Sequence, residues 1–137
     1  MCSDPIKVML VDDQTEVRAM LAEVLTHLGY QAVEASDSYE ALKLLSIQRP
    51  DIALIDVNLP GIDGLQLQEC FKKEATPVPV ILMSGSMDTE MMEKGMEAGA
   101  LAFLTKPFDV FKLKELIDDL PSSKLGLKGE DNKWDAK

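Results

Sequence analysis

Five short apolar runs, each followed by a segment with helical periodicity, constrain this chain more than any other feature. They are Ile6–Val11, Gln31–Ala35, Asp51–Asp56, Val78–Met83 and Leu101–Leu104. All but the second are nearly continuous in apolar residues, as strands buried on both faces of a sheet require. Gln31–Ala35 alternates polar and apolar, which suits a strand at a sheet edge. Between the runs the period changes. Val17, Leu21, Val24, Leu25 and Leu28 form one helical stripe, with Gly29 at the stop position after it. Asp37 and Glu40 have capping-box spacing and open a second helix through Leu42 and Leu45, ahead of Pro50. Leu67, Cys70 and Phe71 mark a third helix. Asp88 opens a fourth, which runs to Ala98 before Gly99, and Leu113, Leu116, Ile117 and Leu120 mark a fifth. Pro79 is awkward inside a strand and belongs at its first positions.

A strand and helix repeated five times predicts an α/β fold, with a doubly wound parallel sheet covered on both faces. Right-handed crossovers favour the flavodoxin-like (βα)5 strand order 2-1-3-4-5, with the alternating second strand on an edge. Residues 1–5 read as a leader, 6–121 as one domain, and 122–137 as a flexible tail or linker in which Trp134 stands isolated. Acids outnumber bases 24 to 14, for a formal charge of −10. Such a surface repels nucleic acid and anionic membranes and suits divalent cations. Cys2 and Cys70 form no metal or disulfide pattern, and no run approaches the roughly 18 apolar residues of a membrane span. A cytoplasmic protein without membrane insertion is expected.

Open α/β sheets bind ligands at the carboxyl ends of their strands, beside the switch point between the first and third. The polar residues fall there: Asp12-Asp13 after the first run, Asp56 after the third, Ser84 after the fourth and Lys106 after the fifth. Three carboxylates so close repel one another unless positive charge compensates them. A divalent cation together with the Lys106 ammonium would balance them. All-oxygen donors, with no His or Cys among them, favour Mg²⁺ over Zn²⁺, with Mn²⁺ as an alternative ion. Metal and lysine together suit a phosphoryl group, and a carboxylate such as Asp56 can accept one covalently.

The set of acid pair, lone Asp, Ser and Lys-Pro resembles the receiver domain of bacterial two-component response regulators, over roughly residues 6–120. The resemblance implies that Asp56 is the phosphoacceptor. It also implies a metal set of Asp12, Asp13 and Asp56, with Asn58 lending a backbone carbonyl and Asp12 acting more often through water. Ser84 matches the switch hydroxyl and phosphoryl-binding residue, Lys106 the catalytic lysine, and Pro107 a neighbour that the family often holds in cis. Pro60, Asp63 and Gly64 match the loop after the phosphoacceptor. Phe103 matches an aromatic switch position, although an aromatic there is equally an ordinary core residue. Ser38 stands where the family often has Gly at the start of the second helix, a difference expected to bear on a helix cap and not on chemistry. The implied function is a phosphorylation-dependent switch that catalyses its own phosphorylation and dephosphorylation and turns over no external substrate. Its implied partners are a sensor histidine kinase or phosphotransfer protein, and a downstream protein that reads the face of the fourth helix, fifth strand and fifth helix. Dimerisation is left open.

Other readings fit less well. An aspartyl-phosphate phosphatase of the haloacid dehalogenase kind needs an acid two residues after its nucleophile, and Asn58 cannot serve. A flavodoxin-like cofactor binder needs a Gly/Ser/Thr-rich loop after the first strand. A receiver-like module that is never phosphorylated sits poorly with the intact acid set. A receiver fragment of a larger regulator or hybrid kinase has the same chemistry. His27 reads as a helix-end surface residue and Cys70 as a buried small hydrophobe. Met83, Met87, Met91, Met92 and Met96 cluster near the fourth helix, as core or as an adaptable partner surface.

Overall fold

Side chains of a strand alternate between the two faces of its sheet, and that alternation sorts the helices here into layers. The computed structural model describes residues 5–74, 77–85 and 89–119. In chain order the elements are β1 (Lys7–Val11), α1 (Thr15–His27), β2 (Gln31–Ala35), α2 (Ser38–Gln48) and β3 (Ile52–Asp56). They continue with α3 (Gly64–Lys72), β4 (Val80–Ser84), α4 (Thr89–Glu97), β5 (Ala102–Thr105) and α5 (Val110–Asp118). All five strands are parallel, in the order β2-β1-β3-β4-β5. This is the order the sequence predicts, and β2 lies on an edge with Gln31 and Glu34 exposed.

On one face Val8, Leu10, Leu54, Ile81 and Met83 pack with Leu21 and Leu25 of α1 and Leu113 and Ile117 of α5. On the other, Met9, Val11, Ile55 and Leu82 pack with Ala41 and Leu45 of α2 and Leu67 and Phe71 of α3. Each buried Leu or Ile contributes about 1.5–3 kcal/mol, so the central strands, apolar on both faces, dominate stability. The fourth helix is held differently. Gly95 is its one buried residue, and a Cβ there would lie 2.2 Å from Leu82 Cδ1. The Gly95 carbonyl accepts a hydrogen bond from Gln68 Nε2 at 3.1 Å.

The helix ends follow local chemistry. Gly29 takes φ +99° beyond α1, a conformation open to glycine. Asp37 caps α2 by accepting the Glu40 N–H at 2.8 Å. Glu40 reaches one residue further back than a capping box requires, to the Ser36 N–H at 2.7 Å. Ser38, expected to bear on that cap, does not. It is fully buried and donates its hydroxyl to the Ile62 carbonyl. Two caps are additional to those expected: a reciprocal box between Asp63 and Gln66, and Asp109 accepting the Phe111 N–H at 2.9 Å.

Some boundaries move. The fourth strand begins at Val80, after Pro79, whose carbonyl accepts the Ala53 N–H at 3.0 Å while its missing donor costs nothing there. The fifth strand runs one residue later than its apolar run. Cys70 is half-buried, and the inward place on α3 is taken by Gln68, 2 % exposed. The expected Asp88 cap, Met87, Leu120, and the tail with Trp134 lie outside the described residues, as do residues 1–4 of the leader. Among the described residues no helix is long and apolar enough to cross a membrane.

Candidate functional site

Register puts the acids side by side. Val11 pairs with Ile55 across β1 and β3, so Asp12 and Asp56, the next residues, stand level on neighbouring strands. This is the switch point, since β1 carries β2 on its other edge. Backbone and side-chain bonds then hold Asp12. Its N–H donates to the Ala35 carbonyl at 3.2 Å, and its Oδ1 accepts the Gln14 N–H at 2.9 Å. Asp12 and Asp56 are buried and Asp13 is exposed. Carboxylate oxygens of the three lie within 4.8 Å of one another.

The counter-charge comes from the far side of β4. The Lys106 N–H donates to the Ser84 carbonyl at 2.7 Å, and the peptide bond from Lys106 to Pro107 is cis. The Lys106 Nζ reaches Asp12 Oδ2 and Asp56 Oδ2, at 2.8 Å each. Burial works to lower the pKa of this ammonium. Hydrogen bonds to Asp12 and Asp56, with their charges, outweigh it and hold the pKa above its ordinary value. The lysine therefore stays charged.

Asp56 is held from a second side. Its Oδ1 accepts the Asn58 N–H at 2.9 Å. The loop that follows folds back, with the Gly64 N–H donating to the Val57 carbonyl at 3.2 Å. A Cβ on Gly64 would lie 2.5 Å from the Asp56 carbonyl oxygen, so only glycine lets α3 start this close to the strand. Pro60 is exposed on the same loop. Ser84 is 1 % exposed and follows Met83, which pairs with Asp56 across β3 and β4. Of the expected residues, Asp12, Asp13, Asp56 and Lys106 thus form one cluster, Asn58 touches it through its backbone, and Ser84 ends the adjoining strand. Phe103 stands apart, half-buried against the core on the α2 and α3 side of the sheet.

One contributor carries little sequence signal. Arg18 on α1 donates from Nη1 to the Asp12 carbonyl at 2.7 Å and from Nε to Glu34 Oε1 at 3.1 Å. It braces the backbone of Asp12 and adds positive charge nearby. Its only trace in the sequence is a basic residue beside the apolar stripe, one turn past the acid pair.

The cluster fits a hard divalent cation. Three carboxylates and one ammonium leave a charge of −2, every side-chain donor is oxygen, and exposed Asp13 opens the cluster to water. A sequence profile of the response regulator receiver domain matches residues 8–118. The chain belongs to the response regulator receiver domain family.

Relatives agree with the profile. Sporulation initiation phosphotransferase F of Bacillus subtilis is 33% identical over 111 residues, covering 81% of this chain and 90% of that protein. The DNA-binding transcriptional regulator NtrC of Klebsiella pneumoniae is 33% identical over 109 residues, covering 80% of this chain and 23% of that protein. Chemotaxis protein CheY4 of Vibrio cholerae superposes with a TM-score of 0.77 at 28% identity, covering 83% of this chain and 97% of that structure. Receiver domains are signalling domains of two-component systems. They work through phosphorylation, bind Mg²⁺ at an acidic pocket and meet histidine kinases or phosphotransfer proteins. This chain has the corresponding aspartate cluster.

Proposed function

We propose that this receiver domain is a switch whose phosphoacceptor is Asp56, charged by a histidine kinase or phosphotransfer protein. Asp12, Asp13, Asp56 and the Asn58 backbone carbonyl would hold Mg²⁺ beside it. The observation that carries this reading is the Lys106 ammonium, 2.8 Å from both Asp12 and Asp56 within a group of three carboxylates. An ammonium in that place offsets part of the acids' charge at rest and is ready for an incoming anion.

The chemistry is a transfer in one displacement. An Asp56 carboxylate oxygen forms a bond to phosphorus as the bond from phosphorus to the donor's imidazole nitrogen breaks, and the electron pair leaves with that nitrogen. Bound Mg²⁺ supplies positive charge that stabilises the phosphoryl oxygens in the transition state. Lys106 shifts from a carboxylate that has become an acyl phosphate to a phosphoryl oxygen, keeping a charged partner throughout. The Ser84 hydroxyl donates to another phosphoryl oxygen. Asn58 offers no acid or base to hasten hydrolysis, so the phosphoryl group persists long enough to be read. Phe103 and the face of α4, β5 and α5 carry the change to a downstream protein.

Acetyl phosphate with Mg²⁺ tests the reading directly by phosphoryl transfer. Mass spectrometry should place one base-labile phosphoryl group on Asp56, and Asp56→Asn should abolish it. A label that survives Asp56→Asn, or no label at all, overturns the assignment.

A further inference from the structure

The start of α2 makes two successive contacts with the loop between β3 and α3, and neither is needed to cap α2. Asp37 already supplies the cap, accepting the Glu40 N–H at 2.8 Å. Ser38 is nevertheless fully buried, and its hydroxyl donates to the Ile62 carbonyl, 24 residues further along the chain. Tyr39 is 64% exposed, yet its ring lies over Gly61, where a Cβ would stand 3.2 Å from Cε2. The loop so held begins at Asn58, whose N–H bonds Asp56 Oδ1, and ends at Gly64, packed on the Asp56 carbonyl. Upstream, Ala35 at the end of β2, two residues before the Asp37 cap, accepts the Asp12 N–H through its carbonyl at 3.2 Å. The strand pinned to Asp12 thus leads, through Ser36 and Asp37, directly into the helix start that holds the loop after Asp56.

We infer that Ser38, assisted by the Tyr39 ring, is a positioning residue for cation binding. Its hydroxyl fixes the loop from Asn58 to Asp63 relative to Asp12, and so sets the affinity of the cluster for Mg²⁺. The inference rests on the reading of Asp12, Asp13 and Asp56 as the Mg²⁺ site. Ser38 touches no cation ligand side chain and acts through the loop backbone alone. Alanine at position 38 lets the Ile62 carbonyl drift and gives the loop a wider range of positions, most of them poorer for the ion.

The test is Mg²⁺ titration by calorimetry on wild type, Ser38→Ala, Tyr39→Ala and Ile47→Ala. Thermal melts in EDTA accompany each titration. Ile47 is exposed at the opposite end of α2 and serves as the control. Ser38→Ala should weaken Mg²⁺ binding by about threefold to tenfold, the span expected for loss of one neutral hydrogen bond. Its acetyl phosphate reaction should slow at low Mg²⁺ and recover the wild-type rate at saturating Mg²⁺. A purely structural serine would lower the melting temperature in EDTA and leave both Mg²⁺ readouts unchanged; that result overturns the inference. Should Ser38→Ala fail to fold, Tyr39→Ala decides, because its exposed position does not enter the core. An unchanged Mg²⁺ affinity there is equally fatal. Wild type that binds no Mg²⁺ refutes the underlying site and this inference with it, whereas wild-type binding lost in Asp13→Asn upholds the site independently of Ser38.

Discussion

Asp13→Asn should stabilise the protein without Mg²⁺ and destabilise it with Mg²⁺. The structure sets the size of both effects. Asp13 has carboxylate neighbours within 4.8 Å in Asp12 and Asp56, while Lys106 bridges those two acids and leaves Asp13 outside the ion pair. Two negative charges and one positive leave a net repulsion of one unit charge on Asp13. At that separation it is worth about 0.9 kcal/mol in a water-like dielectric and roughly 3.5 kcal/mol at the effective value used for partly buried pairs. Because Asp13 is exposed, the lower figure governs, and relief of about 1 kcal/mol at low salt is expected. Asparagine keeps the shape and removes the charge. With Mg²⁺ at a hundred times its dissociation constant, wild type gains about 2.7 kcal/mol by linkage, most of which the variant forgoes. The variant should move from about 1 kcal/mol more stable than wild type to between 1 and 2 kcal/mol less stable, on the same basis. Urea unfolding at low salt, once in EDTA and once in saturating Mg²⁺, measures both values. A difference of the same sign in the two media refutes the reasoning, because crowding of like charge and binding of a cation by the same carboxylate require a reversal.

Lys106→Ala unpairs two carboxylates and should cost about 3 kcal/mol at neutral pH, as removal of one partner from a buried pair does. It should leave Mg²⁺ affinity in place, since the cluster becomes more negative, while weakening the response to phosphorylation; loss of Mg²⁺ binding in a calorimetric titration would contradict this. The pH dependence has a definite sign. The folded-state pKa of Lys106 is raised above its ordinary 10.5, so its contribution is whole below that pH and is lost as pH rises through the folded value. The stability gap between wild type and Lys106→Ala should therefore hold steady up to about pH 10 and narrow only above it; a gap that closes at neutral pH speaks against the ion pair. Gly64→Ala places a methyl 2.5 Å from the Asp56 carbonyl and 2.6 Å from Val57 Cα, both backbone atoms that cannot turn aside. Overpacking of about 1–3 kcal/mol should exceed the gain in helix propensity of at most about 1 kcal/mol, with weaker Mg²⁺ binding as the loop retreats. A variant as stable as wild type in urea would show that the loop yields freely.

What is legible in the sequence follows from burial. Strands covered on both faces spell continuous apolar runs, so β1, β3 and β4 are visible, and the alternation of Gln31–Ala35 marks the edge. Strand ends are less visible, because ladder bonds use only the backbone. Ser84 and Thr105 belong to strands, paired with each other across β4 and β5, and their polarity gives no sign of it. The inward choice of Gln68 over Cys70 is hidden for a related reason: the Gln68 amide is accepted into the interior by the Gly95 carbonyl on another helix. The acidic cluster is legible because topology alone brings the carboxyl ends of β1 and β3 together. Its supports are not. Arg18 bonds the carbonyl of Asp12 and Ser38 bonds that of Ile62. A bond between two side chains writes two specific letters in a sequence, whereas a bond to a carbonyl writes one, since every residue offers the other half. Residues that hold this site through the backbone can therefore look like ordinary surface or cap residues until the fold is known, and Ser38 is the case where that distinction changes what is expected of the cation.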